Sequence, residues 1–127
     1  MISFAAITKL FSVDLKNKMC IEIEFNIVGF EKYQYCWMGK MPDQTKKKLF
    51  WPLLPKRKAL RDIYWFGLAA DGTAAYDYGN FQDFATAPVF DGKSLEEIWE
   101  NVELLSIDGC DPEERMQFYN SIINPVN

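Results

Sequence analysis

From Met19 to Ile27 the chain alternates without a break. Met19, Ile21, Ile23, Phe25 and Ile27 fall on one side, and Cys20, Glu22, Glu24 and Asn26 on the other. A period of two over this length predicts an antiparallel strand with one face on a core and one toward water. Gly29 to Lys32 supply a turn, and "YQYCWM" reads as a second strand with Tyr33, Tyr35 and Trp37 on a shared face. The stretch "DIYWFGLAADGTAAYDY" predicts two strands around Asp71-Gly72, the residue pair of a type I′ hairpin. Its first arm, Ile63 to Leu68, is apolar on both sides and suits a central strand. The N-terminal segment fits two periods. Phe4, Ile7 and Phe11 suit a helix, Ile2, Phe4 and Ala6 a strand, and the turn-forming "DLKNK" before Met19 favours a first strand paired with the second.

The pattern changes toward the C-terminus. Ser94 and Glu97 have the spacing of a capping box. Leu95, Ile98, Trp99, Val102 and Leu105 then follow within an arc of about 120° on a helical wheel, with Glu96, Glu100 and Glu103 opposite. This predicts a helix from Ser94 to Ser106, although Leu104 projects beside the glutamates instead of into the stripe. Asp111-Pro112-Glu113-Glu114 supplies an N-cap, a proline at the first helical position and a second box. Met116, Tyr119, Ile122 and Ile123 form the core stripe of this second helix, and Pro125 ends it. Strands followed by helices, without a βαβ rhythm, predict an α+β fold: an antiparallel β-sheet with C-terminal helices packed on one face. At 127 residues the expectation is a single domain, 1–127, with enough chain to bury a core.

Composition narrows the chemistry. The chain has no histidine, which removes His-activated nucleophiles, His acid–base catalysis and His-containing zinc sites. The three cysteines, Cys20, Cys36 and Cys110, form no C-x-x-C pair and are too few for a Cys-only zinc site. They read as free thiols in a reducing compartment. No apolar run approaches the roughly 20 residues that span a bilayer. The N-terminus lacks the features of a signal peptide, so the expected location is the cytoplasm. No cofactor or metal is expected, and the chain does not read as an enzyme.

Charge is laid out in blocks. Lys40 to Arg61 holds eight basic residues against Asp43, whereas Ala70 to Asn127 holds twelve acidic residues against Lys93 and Arg115. The basic block contains "KKKLFWPLLPKRK", with Lys46, Lys47, Lys48, Trp51, Lys56, Arg57, Lys58 and, just beyond, Arg61. Cations interleaved with aromatics suit a single-stranded nucleic acid or a regulatory ligand. Against that stand a net charge of −4 and a pI near 4.8, while the prolines break any membrane-surface helix. Two other readings are a protein contact and, favoured over both, a loop whose apolar residues dock on the core while its charges face the acidic half. In the acidic half, "YDYGNFQDFATAPVFDGKS" alternates carboxylates with aromatics. It reads either as a recognition surface for a basic partner or as a connection whose rings fill the core. Asp77 and Asp83 could also serve as a carboxylate pair for glycoside hydrolysis, and nothing in their spacing demands it.

The run "FDGKSLEEIW…VELLSIDG", Phe90 to Gly109, preceded by the aromatic hairpin "YWFGLAADGTAAYDYGNF", resembles the immunity proteins of bacterial contact-dependent growth inhibition and related polymorphic toxins. The resemblance implies a stoichiometric cytoplasmic inhibitor that binds a cognate toxin domain, in many cases a nuclease, and has no chemistry of its own. Its partner is then that toxin domain, not a membrane or a nucleic acid. The contacts expected on the acidic half are Tyr76, Asp77, Tyr78, Asp83, Glu96, Glu100 and Glu103. The basic segment Lys46 to Arg61 is the alternative site.

Overall fold

Ser3 begins the first element, its hydroxyl accepting a hydrogen bond from the Ala6 amide at 3.1 Å. The segment that follows is helix α1 (Phe4–Phe11), which buries Ile7, Leu10 and Phe11. Of the two periods this segment fits, the helical one wins, and the strand expected there does not form. In this computed structural model the described residues are 2–13, 20–42, 62–69 and 73–123.

Strands β1 (Ile21–Ile27), β2 (Cys36–Pro42), β3 (Asp62–Gly67) and β4 (Ala75–Tyr78) form an antiparallel meander. Helices α2 (Phe81–Thr86) and α3 (Leu95–Ile98) and a 3₁₀ turn (Trp99–Asn101) carry the chain over one face of the sheet. It then returns as β5 (Val102–Ile107), which pairs with β1, so the strand order is β4-β3-β2-β1-β5. Helix α4 (Pro112–Ile123) closes the described chain. The architecture is the expected α+β arrangement of an antiparallel sheet with helices packed on it.

The alternation in β1 holds: Ile21, Ile23, Phe25 and Ile27 are fully buried. They share the covered face with Cys36 and Met38 of β2 and Phe66 of β3, and with Phe84, Leu95, Met116 and Tyr119 from the helices. Phe66 and Phe84 stack with ring centroids 4.2 Å apart, and Phe90 stands edge-on to Phe66 and Tyr33 at 5.4 Å each. Such stacked and edge-on pairs add to the burial of the rings themselves.

Two expectations fail instructively. Tyr33, Tyr35 and Trp37 do not share a face. Tyr33 is buried in the connection before β2, Tyr35 is 71% exposed at a positive φ of 53°, and the strand starts only at Cys36. The helix expected over Ser94 to Ser106 stops after one turn and its 3₁₀ extension. The capping box is present, with Glu97 N to Ser94 Oγ at 3.2 Å and Ser94 N to Glu97 Oε1 at 3.0 Å. Val102 to Ile107 instead pair with β1, because the free edge of β1 offers a ladder that a solvated helix would leave unpaired. A bulge between Glu24 and Phe25, with Leu105 as the extra residue, lets the strand place both Leu104 and Ile107 on the covered side.

Asp71-Gly72 lies outside the described residues. The same chemistry is visible twice further on. In Phe90-Asp91-Gly92-Lys93 and Ile107-Asp108-Gly109-Cys110 both central residues have positive φ, and the outer residues exchange backbone bonds of 2.9–3.1 Å. These are the dihedral signs of a type I′ turn.

The cysteines differ in access. Cys36 is buried, and burial pushes its thiol up to about 11. Cys20 and Cys110 are exposed; partial burial and then the Glu22 carboxylate raise the Cys20 thiol. Iodoacetamide on the native protein is therefore expected to label Cys110 and, more slowly, Cys20, while sparing Cys36 until denaturant is added. Peptide mapping by mass spectrometry reads this out; early labelling of Cys36 would contradict it.

Candidate binding face

The helices all pack on one side of the sheet, so the outward residues of the strands form a second, separate surface. The register sets those residues in rows across the strands. One row runs Asp77, Trp65, Gly39, Glu22; the next runs Ala75, Gly67, Trp37, Glu24, Ser106. Met41 pairs with Ile63 at one end, and Asn26 with Glu103 at the other. The centre is aromatic and apolar, with Trp37 and Met41 each 37% exposed. Glu22, Glu24 and Glu103 stand on one side of it and Asp77 on the other. No Lys or Arg occupies an outward position in the five strands.

Glycine makes this face flat. A Cβ at Gly39 would come within 2.8 Å of Trp65 Cζ2 and 2.1 Å of the Ile21 carbonyl oxygen, so the Trp65 indole takes the space a side chain would fill. At Gly67 a Cβ would lie 3.8 Å from both Trp37 Cβ and Trp65 Cζ3. The two tryptophans are thus diagonal neighbours over a glycine floor, an arrangement in which an aromatic shields bare backbone. Gly39→Ala is expected to cost about 1–3 kcal/mol through overpacking, because the backbone oxygen it meets cannot simply rotate away. Urea unfolding checks this, and Gly67→Ala, in open space by comparison, should cost less. Equal losses at the two sites would show that the Trp65–Gly39 contact is not the cause.

The sequence-predicted contact residues do not form one surface. Asp77 and Glu103 lie on the open face but near opposite edges of the sheet, roughly 19 Å apart at four strand spacings. Tyr76 and Tyr78 alternate with Asp77 and point to the covered side, where Tyr78 meets Phe66 and Phe84 at 6.2 and 6.3 Å. Tyr76 remains 40% exposed at the β4 edge. Asp83 sits in the first turn of α2, its amide donating to Asn80 Oδ1 at 2.8 Å and its Oδ2 accepting from Asn80 Nδ2 at 3.0 Å. Asp77 and Asp83 are therefore on different sides of the sheet and do not converge as a carboxylate pair. Glu96 and Glu100 lie exposed on α3 and the 3₁₀ turn, whereas Glu103 belongs to β5, where it accepts from Asn26 Nδ2 at 3.1 Å. The continuous glutamate face expected on a single helix does not exist. Lys46, Lys47, Lys48, Trp51, Lys56, Arg57, Lys58 and Arg61 lie outside the described residues.

What sequence reasoning missed is the diagonal placement of Trp37 and Trp65 and their acidic neighbours Glu22 and Glu24. The signal was present in the alternation of β1, which sets Glu22 and Glu24 opposite the core residues. Only the register of β2 and β3 brings the tryptophans beside them.

A shallow open depression at the β1–β2 connection is lined by Gly29, Phe30, Glu31 and Gln34. Among the described residues no cluster of three or more Cys, Asp or Glu side chains is arranged to hold a metal ion. Among them, too, no helix is long and apolar enough to cross a membrane. No family model, curated protein or solved structure matches the chain.

Proposed function

We propose that this chain is an immunity protein, a cytoplasmic inhibitor that binds a cognate bacterial toxin domain in an equimolar complex and neutralises it. The observation that supports this reading best is the open sheet face, an aromatic centre bordered by carboxylates on a rigid scaffold. Aromatic anchors surrounded by charge are the usual makings of a protein interface. The sign of the charge favours a basic partner surface, such as the substrate cleft of a nuclease, and would speed encounter with it. The run carrying the family resemblance, Phe90 to Gly109, forms a tight turn, a capped helix and the strand β5. It builds the scaffold and contributes Glu103 to the face. Inhibition then needs no chemistry from this chain, only occupation of the toxin's working surface.

A neighbouring gene is expected to encode the toxin domain; co-expression with that domain should restore growth, and the two proteins should elute from gel filtration as one species. Persistent growth arrest together with separate elution would sink the reading.

A further inference from the structure

We propose that the open face is a receptor for a basic protein segment, with an arginine guanidinium seated on the indoles of Trp37 and Trp65 and held by Glu22 and Glu24 of β1. The inference takes the partner's identity, though not its chemistry, from the immunity reading.

The molecule contains the same arrangement in completed form. The Arg115 guanidinium lies 4.2 Å from the Phe118 ring centre and 5.1 Å from that of Tyr119, while its Nε donates to Asp108 Oδ2 at 2.9 Å. There the chain supplies ring, carboxylate and cation together. On the open face it supplies rings and carboxylates, and no outward strand position supplies the cation. Trp65 lies along Gly39, whose neighbour on β1 is Glu22, and Trp37 has Glu24 beside it. A planar cation can rest on the indoles and donate from its edge to the β1 carboxylates beside them, which a lysine ammonium cannot do at the same time. The glycine floor leaves no side chain to prop a ligand away from the rings. A nucleic acid or an anionic lipid surface would be repelled by the same carboxylates, and a second copy of this chain would present a like-charged face.

The test is titration of the ¹⁵N-labelled full chain with oligoarginine, oligolysine and oligoglutamate peptides, followed through the indole signals of Trp37 and Trp65, each assigned by substitution with Phe. Oligoarginine should shift both signals, oligolysine should bind about tenfold more weakly, and oligoglutamate not at all. Raising the salt should weaken the arginine complex. The double variant Glu22→Lys, Glu24→Lys, altered only at outward positions, should lose it. The proposal is overturned if oligoarginine leaves both indole signals in place and perturbs Glu96, Glu100 and α4 instead, or if the double variant binds as before. Movement of both signals on peptide-free dilution would mark a second copy as the occupant. Movement on Lys46→Gln, Lys47→Gln, Lys48→Gln substitution would mark the chain's own basic segment; either result overturns the proposal. Oligoarginine binding here without toxin rescue would remove the immunity reading alone. Rescue undiminished by the double variant would remove this inference alone.

Discussion

Lys40→Met is expected to lower the unfolding free energy by about 2–5 kcal/mol, seen as a lower urea midpoint at unchanged slope. Among the described residues Lys40 is the one buried basic side chain, at 3% exposure on the covered face of β2. Its Nζ donates to the carbonyl oxygens of Phe11 and Val13, both at 2.7 Å, and lies 3.4 Å from Asp62 Oδ2. These carbonyls belong to the last turn of α1 and the residues just after it, where helix carbonyls lack intrahelical partners and negative potential gathers. The ammonium thus ends the helix and ties it to the sheet, with the Tyr64 ring 5.4 Å away. Methionine keeps most of the stem volume, so the loss would report the charge and its donors, not a cavity. Asp62→Asn should cost much less, below about 1 kcal/mol, because Asp62 is partly exposed and water can replace its partner. A Lys40→Met variant within about half a kcal/mol of the parent protein would show that water satisfies those carbonyls just as well.

Lys40 also shows where sequence reasoning stops. By composition it opens the basic block; by period it falls in step with Cys36 and Met38, two residues apart on the buried side. Period decides the matter, because a strand gives a residue no choice of face once its neighbours are buried. The same logic made β1 readable throughout and gave the β3–β4 hairpin its partners. It failed at Ser94 to Ser106 because Leu95, Ile98, Trp99, Val102 and Leu105 satisfy a helical stripe by coincidence. The misfit of Leu104 on that wheel was the clue. On β5 it lies opposite Phe25 and packs on the core, as a strand requires. The acidic and aromatic candidates were legible as residue types suited to recognition. Their assembly was not, since it depends on which strands become neighbours, and pairing across the sheet leaves no local pattern in the chain.

Asp108→Ala is the second substitution expected to be severe, at about 3–5 kcal/mol. Asp108 stands at a positive φ of 53° in the turn after β5, where aspartate and asparagine are tolerated and alanine is strained. Its Oδ1 accepts from the Glu22 amide at 2.9 Å, and its Oδ2 accepts from Arg115 Nε at 2.9 Å and the Tyr119 hydroxyl at 2.5 Å. One carboxylate therefore joins the β5 turn, the start of β1 and helix α4. Tyr119 is fully buried, so removing the acceptor leaves its hydroxyl to find another or remain unsatisfied. Burial first, and then the bond to Asp108, hold that phenol protonated well above its ordinary range. A raised pKa means that this contribution is complete below the ordinary phenol value of about 10 and fades only as pH climbs beyond it. Asp108→Asn should fall between parent and alanine variants, because it keeps the backbone preference and one acceptor but turns an amide toward Arg115 and Tyr119. Hydrogen exchange should then show α4 opening earlier than β1 and β2 in the alanine variant, since its ties to the sheet pass through this residue. If α4 amides stay as protected as those of the central strands, the carboxylate is not what fastens the helix, and burial of Met116 and Tyr119 alone must hold it.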